Sequence, residues 1–251
     1  MIAISEIKTE FNNTSIEDMD AFISCYETDE RNGVQSIIAR AKKKLKDYEA
    51  ELLRTEVMLK FEKKYPECEF ICGIDEVGRG PLAGPVVAGA VILPKDKKIL
   101  YLNDSKKLTA SKREELYDVI MENAVAVGLG EASCQRIDEI NILNATYEAM
   151  REAISKLKVT PDILLNDAVT IPGVNIKQVP IIKGDAKSSS IAAASIVAKV
   201  TRDRMMVELD KEYPGYNFAG NKGYGSAEHI EALKKLGPTI IHRKTFIKNF
   251  I

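Results

Sequence analysis

The most constraining feature of the sequence is an apolar run that ends in two adjacent carboxylates and continues into a glycine-arginine-glycine turn. Residues 70–93 read FICGIDEVGRGPLAGPVVAGAVIL, with Asp75 and Glu76 at the end of the first apolar run. Neighbouring negative charges repel, and a carboxylate beside a core is costly unless it is paired or binds a metal ion. The pattern therefore predicts a buried strand that delivers acids to a site holding a positive group.

The same pattern occurs twice more, because DILLNDA brings Asp167 and VPIIKGDA brings Asp185 to the end of an apolar run. Ligands bind at the carboxyl edge of open α/β sheets, and parallel neighbours lie about 4.8 Å apart. The four acids are therefore expected to converge. Oxygen ligands without histidine or cysteine suit Mg²⁺ or Mn²⁺, and a two-ion carboxylate site is typical of phosphoryl transfer. Alternatively, any one of these acids could cap a helix or begin a turn, Asp185 in particular.

The order of predicted elements indicates an α/β architecture. Apolar patterning and turn residues predict strands at 70–74, 86–93, 125–130, 162–165 and 178–183. Helical periodicity predicts helices at 111–123, 138–158, 189–212 and 226–236. Strands that come first in series and then alternate with helices indicate a mixed sheet with helices packed on it.

Residues 1–66 read as a separate helical extension. SIEDMDAFISCYE predicts a short capped helix, and apolar residues recur at steps of three and four from Val34 to Leu52. This stripe would pack on the main domain or on a partner, or form a short coiled coil. We therefore divide the chain into a helical extension, 1–66, and a main domain, 67–251.

Composition excludes several classes of protein. The chain is 45% hydrophobic and 29% charged, as in ordinary globular proteins, and no apolar run approaches the roughly 20 residues of a membrane span. Four scattered cysteines and two histidines disfavour a zinc site and suggest reduced thiols in the cytoplasm. The formal net charge of −1 neither favours nor excludes nucleic acid, although basic residues outnumber acidic ones after residue 182.

Glycine-rich and basic segments supply further candidates. Gly78, Gly80 and Gly84 miss the spacing of a dinucleotide-binding loop by one residue. Gly78, Arg79 and Gly80 therefore form either a turn whose backbone contacts a ligand or a tight hairpin connection. Lys187 stands at the start of a predicted helix, where a phosphate can bind.

In YPGYNFAGNKGYGSAEH, Lys222 and Tyr224 lie among glycines. Aromatic residues beside a base can stack on nucleotides, or they can simply anchor the loop. Lys106 precedes a predicted helix. It is a candidate contact for a ligand, although a lysine in this position usually belongs to a solvated face.

Taken together, five motifs make the chain resemble the type 2 ribonuclease H family, ribonuclease HII. They are GIDEVGRGPLAGPVVAGAVIL, DSKKL, GDAKSSSIAAASIVAKVTRD, YPGYNFAGNKGYGSAEH and GPTIIHRKTF, which occur in order between residues 70 and 246. Residues 1–66 resemble the helical extension of some bacterial members. The related type 3 enzymes carry a lysine in place of Arg79 and a sheet-containing amino-terminal domain, so we favour type 2.

The resemblance implies a ribonuclease H-like fold with a five-stranded mixed sheet whose first three strands are antiparallel. It implies hydrolysis of the RNA strand of RNA–DNA hybrids and incision 5′ to single ribonucleotides in duplex DNA, leaving 3′-hydroxyl and 5′-phosphate ends. The implied cofactors are two Mn²⁺ or Mg²⁺ ions. We expect a cytoplasmic monomer without a membrane partner.

By motif position, the family's four catalytic acids fall on Asp75, Glu76, Asp167 and Asp185. Its 2′-hydroxyl-sensing motif falls on Gly78, Arg79 and Gly80, and its junction-reading tyrosine on Tyr224. The candidate contacts to the substrate backbone are Lys106, Lys187 and Lys222. Two rival functions are another phosphoryl-transfer enzyme of this fold class, such as an integrase or resolvase, and a hybrid-binding protein whose acids only cap helices.

Overall fold

The computed structural model describes residues 2–251, which divide into two compact units, one ending at Glu56 and the other spanning Val57–Ile251. Three helices begin the chain: α1 (Ile4–Asn13), α2 (Met19–Tyr26) and α3 (Asn32–Met58). Helix α1 has no counterpart among the predicted elements. Its buried residues, Ile7 and Phe11, lie four positions apart and so face the same side of the helix.

The three helices share one apolar core, which uses the stripe predicted from Val34 onward. Its buried members come from all three helices: Ile7, Phe11, Met19, Phe22, Ile23, Val34, Ile37, Ile38 and Ala41. Tyr26 reinforces the packing by donating its hydroxyl hydrogen to Glu10 Oε2 at 2.7 Å. The first part of the stripe, from Val34 to Ala41, is therefore buried within the extension itself, whereas Tyr48 and Leu52 are half-buried and lie outside this core.

The second unit is built on a five-stranded mixed sheet with the order β3-β2-β1-β4-β5. The strands are β1 (Ile71–Val77), β2 (Val86–Ile92), β3 (Ala126–Ala132), β4 (Ile163–Asp167) and β5 (Lys177–Ile181). Strand β2 pairs antiparallel with β1 and β3, whereas β4 pairs parallel with β1 and β5. The predicted α/β class and the antiparallel arrangement of the first three strands are confirmed.

Helices cover both faces of this sheet. The helices of this unit are α4 (Ala110–Asn123), α5 (Cys134–Ser155), α6 (Ser189–Glu212), α7 (Phe218–Asn221), α8 (Ala227–Leu236) and α9 (Lys244–Ile247). The main contacts with the sheet come from α5 and α6. Glycines allow the closest approaches. A Cβ at Gly73 would lie 2.0 Å from the Ser190 carbonyl carbon in α6, and one at Gly130 would lie 2.0 Å from the Ala149 oxygen in α5. Larger residues there would push the helices off the sheet.

Side-chain caps fix the starts of the long helices. Thr109, Ser133, Ser188 and Ser226 each accept a hydrogen bond from the backbone N–H three positions ahead, which satisfies a donor that the helix leaves free. Helix α5 is interrupted at Asn141, whose φ of 68° is not helical. These caps explain why the predicted starts of α4, α6 and α8 lie within a residue of the observed ones.

Two properties bear on the surroundings of the chain. Within residues 2–251, no helix combines the length and apolar character that crossing a bilayer requires. The four cysteines are free thiols, and two of them, Cys72 and Cys134, are buried.

Candidate active site

Three acids meet at the carboxyl edge of the sheet. Asp75 lies near the end of β1, Asp167 is the last residue of β4, and Asp185 lies in a 3-10 turn, Gly184–Ala186, that follows β5. One carboxylate oxygen from each acid lies within 4.8 Å of the others. The parallel order β1-β4-β5 brings these three chain segments to the same edge.

Glu76 lines the same cavity, although it does not belong to this closest set of three. The cavity has a volume of about 280 Å³. Its wall combines the four acids with lysines, serines and an aromatic ring: Asp75, Glu76, Val77, Ser105, Lys106, Asp167, Asp185, Ser195, Lys199 and Tyr224. The structure therefore places all four candidate acids together with Lys106 and Tyr224.

The surroundings of Asp75, Glu76 and Asp185 raise the pKa values of these three acids. Burial raises the pKa of Asp75 well above its usual value, and the charges of Glu76 and Asp167 raise it further. Burial also raises the pKa of Glu76, against the effect of Arg79. For Asp185, burial raises the pKa first, followed by the negative charges of Asp104 and Asp167. The site therefore has a deficit of positive charge.

A network of hydrogen bonds holds the acids in place. Asp75 is only 5% exposed, accepts a bond from the Glu76 N–H at 2.8 Å, and has the Ser195 hydroxyl as a further partner. Ser195 is in turn 3.0 Å from the hydroxyl of Ser105. Asp167 accepts a bond from the Gly184 N–H at 2.7 Å, which fixes the turn that carries Asp185.

Asn166, the residue before Asp167, is fully buried and polar in an otherwise apolar strand. Its side-chain amide donates to the Gln178 Oε1 at 2.8 Å and to the Val169 carbonyl at 3.1 Å. Gln178 lies in the neighbouring strand β5. Asn166 therefore bonds β4, next to Asp167, to the neighbouring strand β5.

The donor set fits hard divalent cations. Glu76 Oε1 accepts a bond from Arg79 at 3.2 Å, whereas its buried Oε2 has no hydrogen-bond partner among the described residues. A buried carboxylate oxygen without a partner is costly, and a cation would satisfy it. No histidine or cysteine lines the described cavity, so the ligands would be oxygens, as Mg²⁺ and Mn²⁺ prefer.

Beside the acids, a buried arginine fixes the glycine-arginine-glycine turn, Gly78-Arg79-Gly80. The guanidinium of Arg243 donates to the carbonyls of Gly78 at 2.6 Å, Arg79 at 2.9 Å and Gly84 at 2.8 and 3.0 Å. Arg243 is fully buried. Burial lowers its pKa to about 10, and the charge of Arg202 contributes to this shift.

Arg202 of α6, also fully buried, anchors the continuation of this loop. It donates to the carbonyls of Pro85 at 2.8 Å, Ala83 at 3.0 Å and Lys222 at 2.8 Å. The last of these bonds links the loop to the segment that carries Tyr224. Together, Arg202 and Arg243 hold the two candidate substrate-reading segments in a fixed relation.

The local geometry explains the two glycines of the turn differently. Gly78 has a φ of +90°, and a Cβ there would lie 2.3 Å from Arg202 Nε, so only glycine fits. A Cβ at Gly80 would meet nothing closer than Tyr224 Cε1 at 3.7 Å. Tyr224 is 43% exposed. The backbone at Gly80 and the face of an exposed tyrosine therefore border the same space.

The three candidate lysines differ in position. Lys106 lines the cavity, whereas Lys187 and Lys222 are not among the described residues that do so. The ammonium group of Lys187 donates to the Ile182 carbonyl at 2.8 Å, and that of Lys222 donates to the Ala219 carbonyl. Both lie on segments that flank the site, one after β5 and one before Tyr224.

Several residues of the site were not predicted from the sequence. They are Asp104, Ser105, Ser195, Lys199, Arg202 and Arg243. All but Arg243 lie in the DSKKL and SSSIAAASIVAKVTRD motifs, where they read as a solvated turn or a helix face. Lys199 forms an ion pair with Asp203 at 2.6 Å. In the sequence, Ser195, Lys199 and Arg202 are marked only as polar residues that interrupt an otherwise apolar stretch of the predicted helix.

Comparison with known proteins agrees with the site. The family model described as Ribonuclease HII matches residues 72–249, and the model described as Ribonuclease HII N-terminal domain matches residues 3–66. This chain belongs to the ribonuclease HII family. Among its relatives, the Ribonuclease HII of Lachnoclostridium phytofermentans is 62% identical over 248 residues, covering 99% of this chain and 98% of the relative. The Ribonuclease HII of Clostridioides difficile is 51% identical, with the same coverage of each chain.

Solved structures agree as well. The ribonuclease H2 from Pyrococcus horikoshii OT3 has a TM-score of 0.59 at 28% identity and covers 70% of this chain and 93% of that one. Ribonuclease HII of Archaeoglobus fulgidus, solved in a complex with PCNA, has a TM-score of 0.60 at 27% identity and covers 72% and 96%. The enzyme is accordingly a ribonuclease H, a hydrolase of a family that depends on divalent metal ions.

Proposed function

We propose that this ribonuclease HII hydrolyses the RNA strand of RNA–DNA hybrids and incises duplex DNA on the 5′ side of a single embedded ribonucleotide. The products would carry 3′-hydroxyl and 5′-phosphate ends. The observation that supports this proposal most directly is the adjacency of two features. Asp75 and Glu76 lie near the end of β1, and two residues later the chain forms the glycine-arginine-glycine turn that borders an exposed tyrosine.

In this proposal, Asp75, Glu76, Asp167 and Asp185 hold two divalent ions, Mn²⁺ or Mg²⁺. The bound ions would supply an activated water and stabilise the leaving 3′-oxygen. The protein contributes a preformed cage, because Asp75 is fixed by Ser195 and Asp167 by Gly184. Arg79 neutralises Glu76 and would also lie close to the phosphates of a bound strand.

Recognition of RNA needs a group that reads the ribose 2′-hydroxyl, which is absent from DNA. The glycine-arginine-glycine turn is suited to this task because Gly80 presents bare backbone to open space. Tyr224 would stack on the deoxyribose that follows, and so favour an RNA-to-DNA junction. Lys106, Lys187 and Lys222 would contact substrate phosphates, and their contribution to binding would weaken as salt rises.

The decisive experiment is cleavage of three otherwise identical duplexes, one all DNA, one with a single ribonucleotide and one RNA–DNA hybrid, mapped to the nucleotide. The enzyme should cut the second and third only, and excess chelator should stop both reactions. Asp75→Asn should lose cleavage while binding of the hybrid stays largely intact. Wild-type turnover by that variant would contradict the metal role of Asp75.

The same experiment separates the rival functions. An integrase or resolvase would act on the all-DNA duplex. A protein whose acids only cap helices would cut none of the three duplexes, and Mn²⁺ would not raise its melting temperature.

A further inference from the structure

A glutamate outside the cavity binds the start of the helix that follows Asp185. Glu62 lies in a short 3-10 turn, Glu62–Lys64, ahead of β1. Its Oε1 accepts three hydrogen bonds: from the Ser188 hydroxyl at 2.6 Å, the Ser190 N–H at 3.0 Å and the Ser190 hydroxyl at 2.8 Å. A carboxylate at a helix amino terminus is stabilised by the free N–H groups and the helix dipole.

This contact is one end of a chain of bonds that leads to the acids. Ser188 donates its N–H to the Gly184 carbonyl at 2.8 Å, and Gly184 donates its own N–H to Asp167 at 2.7 Å. Asp185 lies between these anchor points, in the 3-10 turn Gly184–Ala186. The position of the Asp185 carboxylate therefore depends on where the start of α6 is held.

Glu62 binds the start of α6 through one carboxylate oxygen only, which leaves the other oxygen buried at a cost in free energy. Its second oxygen, Oε2, is buried and has no hydrogen-bond partner among residues 2–251. Ser188 and Ser190 are both fully or almost fully buried. The Ser188 side chain already caps α6, because it accepts a hydrogen bond from the Ile191 N–H. Capping alone would therefore not require Glu62. The additional carboxylate instead fixes α6 against the segment ahead of β1, the strand that carries Asp75.

We propose that Glu62 is a positioning residue of the metal site, which holds the start of α6 so that Asp185 faces Asp75 and Asp167. This inference rests on the proposed function, in that it assigns Asp185 to metal binding. It extends the site to a segment of the chain that lies outside the cavity. The effect is indirect, since Glu62 contacts neither substrate nor the acids.

The test compares Glu62→Ala and Glu62→Gln with Glu67→Ala, a matched control that removes an exposed carboxylate from the same segment. Mn²⁺ affinity is measured by calorimetry on the full chain, alongside kcat and KM for a duplex with one ribonucleotide. We expect Glu62→Ala to weaken Mn²⁺ binding and to lower kcat, each by about tenfold, which is the lower end of effects seen for outer-shell partners of metal ligands. The KM of Glu62→Ala should stay within about twofold of the wild-type value. For Glu67→Ala, the Mn²⁺ affinity, kcat and KM should all stay within about twofold of wild type.

Glu62→Gln keeps one acceptor oxygen but loses the charge that strengthens its bonds, so its Mn²⁺ affinity should fall by about threefold. If Glu62→Ala does not fold, the Mn²⁺ affinity of Glu62→Gln tests the proposal instead. A melting temperature lowered in both Glu62 variants, with Mn²⁺ affinity equal to that of Glu67→Ala, would overturn the proposal and leave a purely structural cap. If the wild type binds Mn²⁺ but cuts no ribonucleotide-containing duplex, the proposed function fails, and the affinity comparison still tests Glu62.

Discussion

Without metal, the Asp75→Asn variant should be more stable than wild type. With Mn²⁺ bound, wild type should be the more stable of the two. One oxygen of each of Asp75, Asp167 and Asp185 lies within 4.8 Å of the others. At an effective dielectric constant of about 20, two unit charges at that distance repel by about 3 to 4 kcal/mol. Asp75 faces two such neighbours, so full ionisation is unfavourable, and protonation relieves part of the cost.

The sign of the pH dependence follows from the direction of the shifts. The pKa values of Asp75, Glu76 and Asp185 are raised in the folded protein, so the folded state binds more protons than the unfolded state above about pH 4. The contribution of these groups to stability therefore falls as pH rises through the raised values. Asparagine removes the Asp75 contribution, and its Oδ1 can still accept the bond from the Glu76 N–H.

We therefore expect Asp75→Asn in chelator at about pH 8 to be more stable than wild type by about 2 kcal/mol, within the range found when buried charges are replaced. For a unit of this size the melting temperature should rise by about 4 to 8 °C, and by less at about pH 5. Mn²⁺ at 100 times its dissociation constant should stabilise wild type by about 2.7 kcal/mol, and the variant hardly at all.

Scanning calorimetry of both proteins, with chelator and with Mn²⁺, gives the four values needed. The order of melting temperatures should invert between the two conditions. If the variant is less stable than wild type in chelator at about pH 8, the three carboxylates do not repel one another in the folded protein. The convergence of acids that underlies the proposed metal site would then be refuted.

Three further predictions concern the substrate-reading side of the site and the fold around it. Gly78→Ala should lower stability and activity together, because a Cβ there would lie 2.3 Å from Arg202 and the φ is +90°. Gly80→Ala should keep the wild-type melting temperature but lose ribonucleotide cleavage. Melting curves and cleavage rates for the pair check this; equal stability losses would contradict the assigned geometry. Tyr224→Ala should cut a single-ribonucleotide duplex about tenfold more slowly, as expected for a lost stacking contact, while Tyr224→Phe stays near wild type in the same assay. Burial and the neighbouring His229 lower the pKa of His242 to about 4. The folded protein therefore favours neutral His242, and the resulting stability is fully present above about pH 6.5. As pH falls from 6.5 toward 4, the free energy of unfolding should decrease by about 3 kcal/mol. Urea unfolding of wild type and His242→Gln between these pH values measures it, and parallel pH profiles would rule it out.

The sequence was sufficient to predict the positions of the acids because each one ends a local apolar run. Asp75 lies near the end of β1 and Asp167 is the last residue of β4, and the parallel pairing of β4 with β1 and β5 brings these strand ends together. The pairing itself was not predicted, but any arrangement with the strands parallel and adjacent gives the same convergence. Local patterns also located α6 correctly, since serine caps and small residues mark its start.

Long-range partners were not predictable in the same way. Arg202 lies in a helix whose sequence suggests a solvated charge, yet its three partners are backbone carbonyls from distant segments. Backbone carbonyls are common to all residues, so nothing in the sequence marks them as the acceptors of a particular arginine. Glu62 presents the same difficulty, because the serines that bind it are more than a hundred positions away.

The two halves of the site are therefore held by different means. Asp75 and Asp167 lie in paired strands of one sheet, which fixes their separation, and the bond from the Gly184 N–H to Asp167 fixes the turn that carries Asp185. The glycine-arginine-glycine turn lies outside any strand and has no such ladder. Arg243 and Arg202 replace it, since each guanidinium presents five donors in a fixed plane and so binds several carbonyls at once. Among residues 2–251, the hydrogen-bond partners of both guanidinium groups are backbone carbonyls and not carboxylates. Burying two positive charges in this way is costly. In the proposed function, this cost is offset because the two arginines fix the loop beside the acids that would bind cations and substrate.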